Sequence, residues 1–569
     1  MRSFVVPLLI LLLTRPVLAG FPEEVANQEA ARIEQLQQQR QKALEEQLQQ
    51  RDTPLPPAPQ ISPPEMTPPT LGKRCFPIDI IRLEGESLLS PDTILAVKRN
   101  FQGRCLTTDD LNDLLRRFTN LYFERGFVTT RAYLKPQNLQ SGQLIVTVIE
   151  GRIAAFTTKP DEVLFNSSLK FAFPESAGGR VNLRDLEQGL DNLHRLPSNS
   201  VQMELLPGDQ PGDTQVSLTN TTSKRWRISA GVDNHGQDST GRAQGFLALS
   251  LDNLLGIADV LSVSANSDLE ESQPEGSRSW NLSYEVPWGY WLARFSHGDS
   301  GYDSEVQGVG QPFKTSGDTV SNSLSLQRAV HRSQTDITHL KAVLTHRSDD
   351  NFLEDVRLEA SSRTLSALSL GFEHTHYFSG GTVSVRGNVH IGVPWFGALE
   401  DENDAPPDTP QAQFFKLSLG ADLVTNSKIF GMPWRYRLAS YGQITMQPLF
   451  GSEQVSLGGF YSIRGYRTDG RTGDTGGYLR QDLSMPFGLN SLATPIFETV
   501  EPFWAFDCGA VRQEISGQDS FKGLAGIAAG IRLQGRLASL ELAFGHPVNA
   551  PESFEEDSGV FYASLNMSY

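Results

Sequence analysis

Gly458-Gly459-Phe460-Tyr461-Ser462-Ile463-Arg464-Gly465-Tyr466 is followed by Asp469-Gly470 and Gly473, and it lies between two segments that alternate apolar and polar residues. That arrangement predicts a long hairpin around 455–475 between two β-strands. Gly465 gives the backbone freedom for a tight bend, and Arg464 brings a fixed charge and a rigid fork of donors to its tip. Further on, Ala505-Phe506-Asp507-Cys508-Gly509 holds a second signal. Phe503, Asp507 and Gly509 share one strand face there, and Trp504, Phe506 and Cys508 share the other. In a membrane barrel the aromatic face would meet lipid and Asp507 would point into the lumen. A hairpin folded inward then sets Arg464 against Asp507, each relieving the other's desolvation. The candidate site is therefore Ile463, Arg464, Gly465 and Tyr466 on the hairpin, with Phe506, Asp507 and Gly509 on the wall. An ordinary surface hairpin beside an unrelated aspartate is the competing reading.

Composition narrows the class. The chain has 569 residues, room for several domains, and a formal net charge of −17 that argues against a nucleic-acid partner. Mean hydropathy is −0.30, and no apolar run beyond the N-terminal segment is long enough to span a bilayer as a helix. A β-barrel escapes that test, because only alternate residues of each strand meet lipid. Fifty glycines suit a region rich in turns.

Taken in order, residues 1–19 read as a secretory signal peptide. Arg2 starts it, Phe4 to Leu13 form its apolar core, and Val17-Leu18-Ala19 offer a small-residue cleavage site, so the mature chain is expected to begin at Gly20. Residues 20–52 read as an N-terminal helix, with Val25, Ile33, Leu36, Leu44 and Leu48 too sparse for a core stripe. A helix polar nearly all round needs water or a polar cavity, so it is assigned as a plug. Residues 53–72 carry eight prolines, at 54, 56, 57, 59, 63, 64, 68 and 69, and read as a stiff linker.

Residues 73–151 read as a small α/β domain of order β-α-α-β-β. Its strand spans Asp79 to Leu83, Ser90-Pro91 caps a first helix, Thr107 or Thr108 caps a second, and strands follow at Val128 to Leu134 and Gln143 to Glu150. Residues 152–221 repeat the order, with Leu183, Leu186, Leu190 and Leu193 facing inward from a helix over Leu183 to Arg195. Residues 222–569 alternate again and again. Trp226, Ile228, Ala230 and Val232 interleave with Arg227, Ser229, Gly231 and Asp233, and the last strand sets Phe561, Ala563, Leu565, Met567 and Tyr569 on one face. Such a region must close on itself, because lipid cannot satisfy an open sheet edge.

The Arg-Gly-aromatic hairpin with its strand aspartate resembles the signature of the outer-membrane assembly and secretion porins that carry POTRA domains. The likeness becomes specific in Gly-Phe-Val-Thr-Thr-Arg-Ala-Tyr-Leu at 126–134, Leu-Ile-Val-Thr-Val-Ile-Glu-Gly-Arg-Ile at 144–153 and Asn-Leu-Arg-Asp-Leu-Glu-Gln-Gly-Leu at 182–190. With Arg-Leu-Pro-Ser-Asn at 195–199 and Leu-Asp-Asn-Leu-Leu-Gly at 251–256, these resemble the haemolysin and haemagglutinin transporters of two-partner secretion. The resemblance implies two POTRA domains followed by an all-β transmembrane barrel of sixteen antiparallel strands. It implies a bacterial outer-membrane location with the POTRA domains in the periplasm, in contact with outer-membrane lipid and lipopolysaccharide. The implied partner is a large secreted exoprotein (a haemolysin, an adhesin or a contact-dependent toxin), captured unfolded and passed through the barrel. An insertase of the same superfamily is the alternative, and a haem or solute channel the second.

Cys75 and Cys105 flank the first strand and helix of one small exported domain, so a disulfide is expected, leaving Cys508 free on the lipid face. No catalytic residue, cofactor or metal site is expected: the ten histidines lack metal-ligand spacing. Gly298-Asp299-Ser300-Gly301 echoes a serine-protease loop but reads as a polar loop after a barrel strand.

Overall fold

The computed structural model describes residues 30, 32, 33, 35, 39 and 40, then 75–158, 166–270, 275–307, 311–404, 406–467, 470–489, 496–515, 520–549 and 559–569. The signal peptide assigned to 1–19, the start at Gly20 and the linker assigned to 53–72 lie outside the described residues.

The first α/β unit is built from local signals. Ser90 Oγ accepts the Thr93 N–H at the start of the helix Pro91–Lys98. Thr107 and Asp110 form a reciprocal capping box at the start of the helix Thr108–Glu124. The Thr107 backbone N–H holds the Asp110 carboxyl below the usual carboxylate range. That helix buries Leu111, Leu114, Leu115, Phe118 and Tyr122 against a sheet of Ile80–Glu84, Gln143–Ile149 and Arg131–Tyr133. A two-stranded ribbon, Cys75–Ile78 with Arg104–Thr107, adds to the expected order and carries the Cys75–Cys105 disulfide. Neither Cys-Phe-Pro-Ile nor Arg-Cys-Leu-Thr alternates apolar with polar residues, so the ribbon left no pattern to read.

In the second unit Arg152–Thr158 runs parallel to Asp213–Thr222, which pairs antiparallel with Asn199–Pro207. The helices Asn166–Ala172 and Leu183–His194 cover one face. Leu186 and Leu193 are fully buried, whereas Leu190 packs only partly against the core.

Beyond it sixteen antiparallel strands close into a barrel, two of them carrying short two-residue extensions. The seam joins the first strand, Trp226–Asp233, to the last, Val560–Ser568, over the register Ser564↔Asp233 to Ser568↔Ser229. Outward positions are apolar and exposed, as at Trp226, Leu247, Leu324 and Phe372. Inward positions are polar and many are buried, Arg347, Asp349 and Gln443 among them. Buried polar side chains inside a barrel mean a filled lumen. The sequence around Gly298–Gly301 departs from expectation: it lies within the strand Trp291–Gln307 and is no loop. That strand pairs residue by residue with Pro312–Arg332 well past its apolar portion, so the polar residues extend the ladder at the end far from the α/β units.

The second α/β unit is docked on the near rim. Asn192 donates to the carbonyls of Ala172 and Gly289, each at 2.7 Å, and the Gly289 N–H donates to Phe171 O at 2.8 Å. Tyr290 bonds Asp185, Arg332 pairs with Asp191, and Arg195 pairs with Glu285. The Ser198 N–H adds a 2.9 Å bond to Asp252.

Candidate functional site

The connection between the strands Met432–Thr445 and Thr475–Ser484 leaves the far rim and turns back into the lumen. A short stem, Val455–Leu457 with Arg471–Gly473, holds its neck. Past the stem the chain is a series of turns, and Gly465 has φ +100°, a region that excludes other residues. A Cβ on Gly465 would lie 2.6 Å from the His546 carbonyl carbon. On the wall, a Cβ on Gly526 would lie 1.9 Å from Arg464 O, so two glycines permit the loop to touch the barrel backbone.

Arg464 is completely buried. Its Nε donates to Asp507 Oδ2 at 2.6 Å and its Nη2 to Asp507 Oδ1 at 2.7 Å, a bidentate pair. The Arg464 backbone N–H adds a 3.1 Å bond to the same carboxylate. Nη2 also reaches Asp482 Oδ1 at 2.6 Å. Asp482 in turn binds Arg532, whose Nε donates to Glu541 at 3.2 Å and whose guanidinium lies 3.8 Å from the centre of the Phe503 ring. The loop arginine thus joins a chain of alternating charges across several wall strands.

The other motif residues fix the loop's depth. Ile463 is buried with Val455, Leu457, Tyr466, Val511 and Leu524. Tyr466 Oη donates to Ala525 O at 2.9 Å, and the Gly465 N–H donates to Tyr562 Oη at 3.1 Å. Gly509 faces the loop, with Leu457 Cδ2 3.1 Å from where its Cβ would stand. Phe506 is 44 % exposed on the outer face and does not join the cluster. Phe561, Met567 and Tyr569 are exposed on the outer face of the last strand, and Leu565 pairs with Val232 at the seam. Tyr569 lies under the Lys224 ammonium, 3.6 Å from its ring centre.

Sequence reasoning missed Asp482, Arg532 and Arg480. Arg480, Asp482 and Ser484 share the inward face of the strand after the hairpin, and Arg480 sits in register with Asp507. That alternation was available; which charge would meet which was not.

The described residues of the N-terminal segment are helical and lie inside the barrel. Ala30 and Ile33 pack on Tyr302. Arg40 makes a bidentate pair with Asp233 at 2.6 and 3.1 Å and donates to Asn266 at 3.2 Å. Gln35 donates to Gly451 O, Gln39 to Ser456 O at 3.3 Å and Arg32 to Arg467 O at 3.4 Å. The described helix residues and the loop therefore both occupy the lumen, bonded to the wall and to each other.

Residues 212–533 match the family described as haemolysin secretion/activation protein ShlB/FhaC/HecB. Residues 76–151 match the ShlB-type POTRA domain and residues 152–207 a POTRA domain. The outer membrane transporter CdiB of Escherichia coli is 34 % identical over 538 residues, covering 94 % of this chain and 90 % of its own. The hemolysin transporter protein ShlB of Serratia marcescens is 33 % identical over 474 residues, 83 % of this chain and 82 % of its own. The solved structure of CdiB from Escherichia coli superposes with a TM-score of 0.85 at 32 % identity, covering 95 % of this chain and 98 % of that one.

Proposed function

The chain belongs to the ShlB/FhaC/HecB family of haemolysin secretion/activation proteins, and from that premise we propose how its lumen is held closed and how it is opened. It is an outer-membrane transporter of two-partner secretion, with its POTRA domains on the periplasmic side. The observation that carries the proposal is the double occupancy of the lumen by the N-terminal helix and the inward loop. Both are held by charge-assisted bonds to the wall, Arg40 to Asp233 and Arg464 to Asp507 and Asp482.

In this reading the helix is a plug that leaves before export. The loop is the fixed element that stays, its Arg464 anchored to the wall rather than offered to the cargo. The cargo is a large secreted protein of the haemolysin, adhesin or toxin class, threaded in extended form. The POTRA sheets capture it by β-augmentation: the free edge of Asn199–Pro207 offers backbone groups that pair with any sequence. Outer-membrane lipid and lipopolysaccharide surround the apolar outer face. Removal of residues 21–52 tests the resting state: single-channel conductance in planar bilayers rises while export of a co-expressed haemolysin-type partner persists. Unchanged conductance assigns the helix another role.

A further inference from the structure

The lipid-facing side of the barrel carries a cluster of one arginine and three histidines around an aspartate at its periplasmic rim, which the transport reading does not use. Strand register defines it. Trp291, Arg328, Leu340 and Phe372 form one row across four strands. His331, Thr338 and His374 form the next row toward the periplasm, and Asp336 with His376 the last. Residues paired across a sheet share a face. Leu340 and Phe372 are 51 % and 44 % exposed, which puts all three rows on the outer surface.

The cluster is organised. The Arg328 guanidinium stands 5.0 Å from the centre of the Trp291 ring. His376 Nδ1 lies 2.7 Å from Asp336 Oδ1, and His374 Nδ1 lies 2.9 Å from Thr338 Oγ1, so both rings are oriented by their Nδ1 side. The side chains of His374 and His376 are each 41 % exposed. Asp336 also accepts from Ser333 Oγ at 3.0 Å and Thr335 Oγ1 at 2.6 Å. His374 Nε2 lies 3.6 Å from the same carboxylate, so Asp336 is shared by both rings and the two hydroxyls, while Arg328 stands over Trp291 on the same face.

A charge on the lipid face is costly at the bilayer midplane and nearly neutral at the interface. It becomes favourable opposite a phosphate, which a guanidinium and an imidazolium both bind with charge-assisted bonds. We propose that Arg328 and His331, beside the His374 and His376 rings held by Asp336, bind the phosphate of an anionic phospholipid in the periplasmic leaflet. Trp291 lies at headgroup depth, and Leu340 and Phe372 receive the acyl chains. The site anchors the barrel wall on the side away from its seam.

The test is native mass spectrometry of the full-length protein released from nanodiscs of mixed phosphatidylglycerol and phosphatidylethanolamine. The wild type retains phosphatidylglycerol in preference, and Arg328→Gln with His331→Gln lowers that retention at least about fivefold, the share of the arginine charge. Heat-modifiable migration certifies that the variant barrel is folded, and His331→Gln alone gives the smaller step that a correctly folded single variant must show. Equal retention of the two lipids by the wild type, or unchanged retention by the double variant, overturns the site. Displacement of the lipid by excess inorganic phosphate identifies a free-phosphate site and overturns it too.

Discussion

Arg464 is the residue at which the inward loop's bonds to the wall converge. Its guanidinium is removed from water, and two carboxylates replace the lost hydration with three charge-assisted bonds. Deleting one partner of such a buried group costs about 3–5 kcal/mol, because the other charge is stranded. Arg464→Ala and Asp507→Ala should therefore each abolish most export while the barrel still inserts and migrates heat-modifiably. The double variant should be little worse than either single, since the two side chains act as one unit. Arg464→Lys should restore only part of the activity, because an ammonium cannot make the bidentate contact. Secretion titres of the set, with Asp482→Ala added because Asp482 also holds Arg464, decide the matter: a severe Arg464 defect with a mild one in the Asp507→Ala/Asp482→Ala double variant would mean that Arg464 touches the cargo. Gly465→Ala belongs to the same scale. Its φ of +100° and the His546 carbonyl carbon 2.6 Å from the added Cβ leave no room, so the loop must lift from the wall. Its export should fall as far as that of Arg464→Ala with both charges still present, and wild-type export would show that the loop tolerates the lift.

At the scale of elements, the described residues of the N-terminal helix meet the wall and the loop through polar contacts from Arg32, Gln35, Gln39 and Arg40, with Ala30 and Ile33 packed on Tyr302. An element so held can leave without breaking a core. Arg40→Ala removes the bidentate bond to Asp233, and its conductance should rise toward that of the full deletion. A conductance equal to wild type would place the helix's hold elsewhere. The opposite logic governs the ribbon at the start of the first POTRA domain. It is two strands of four residues tied by a disulfide that closes a separation of 30 residues. Such a loop constrains the unfolded chain by roughly 3.6 kcal/mol in the chain-entropy account. Reduction should lower the unfolding midpoint of that domain, and thiol labelling of the denatured, unreduced protein should find Cys508 alone. Labelling of all three cysteines would remove the bond from the mature protein.

For the whole molecule, the contact between the second POTRA domain and the barrel rim fixes that domain against the near end of the barrel. The Asn192 amide serves two backbone carbonyls, Ala172 O within the domain and Gly289 O on the barrel turn. Asn192→Ala leaves both buried acceptors without that donor, a loss of about 1–3 kcal/mol. Hydrogen exchange in the turns 253–259 and 289–290 should then accelerate, with exchange inside the barrel strands unchanged. Equal exchange in the wild type and Asn192→Ala would show that Asp185, Asp191 and Arg195 suffice to hold the joint.

Much of this architecture was legible in the chain because its signals are local. A period of two marks Trp226–Val232 and Phe561–Tyr569 as barrel strands, and the caps at Ser90 and Thr107 mark helices, since each pattern reports only a strand's two faces or a helix's first turn. Arg464 and Asp507 were legible as the two halves of a site for a similar reason: a charge that would face a desolvated interior needs a partner. Nothing local could tell that Asp482 would share Arg464, that Arg532 would continue the chain of charges, or that the polar run at Gly298–Gly301 would be strand. Those outcomes depend on the register of sixteen strands around a closed ring and on a loop entering it from the far rim. Closure brings together residues far apart in sequence, and only the tertiary fold, by taking their charges out of water at the same place, decides which of them must pair.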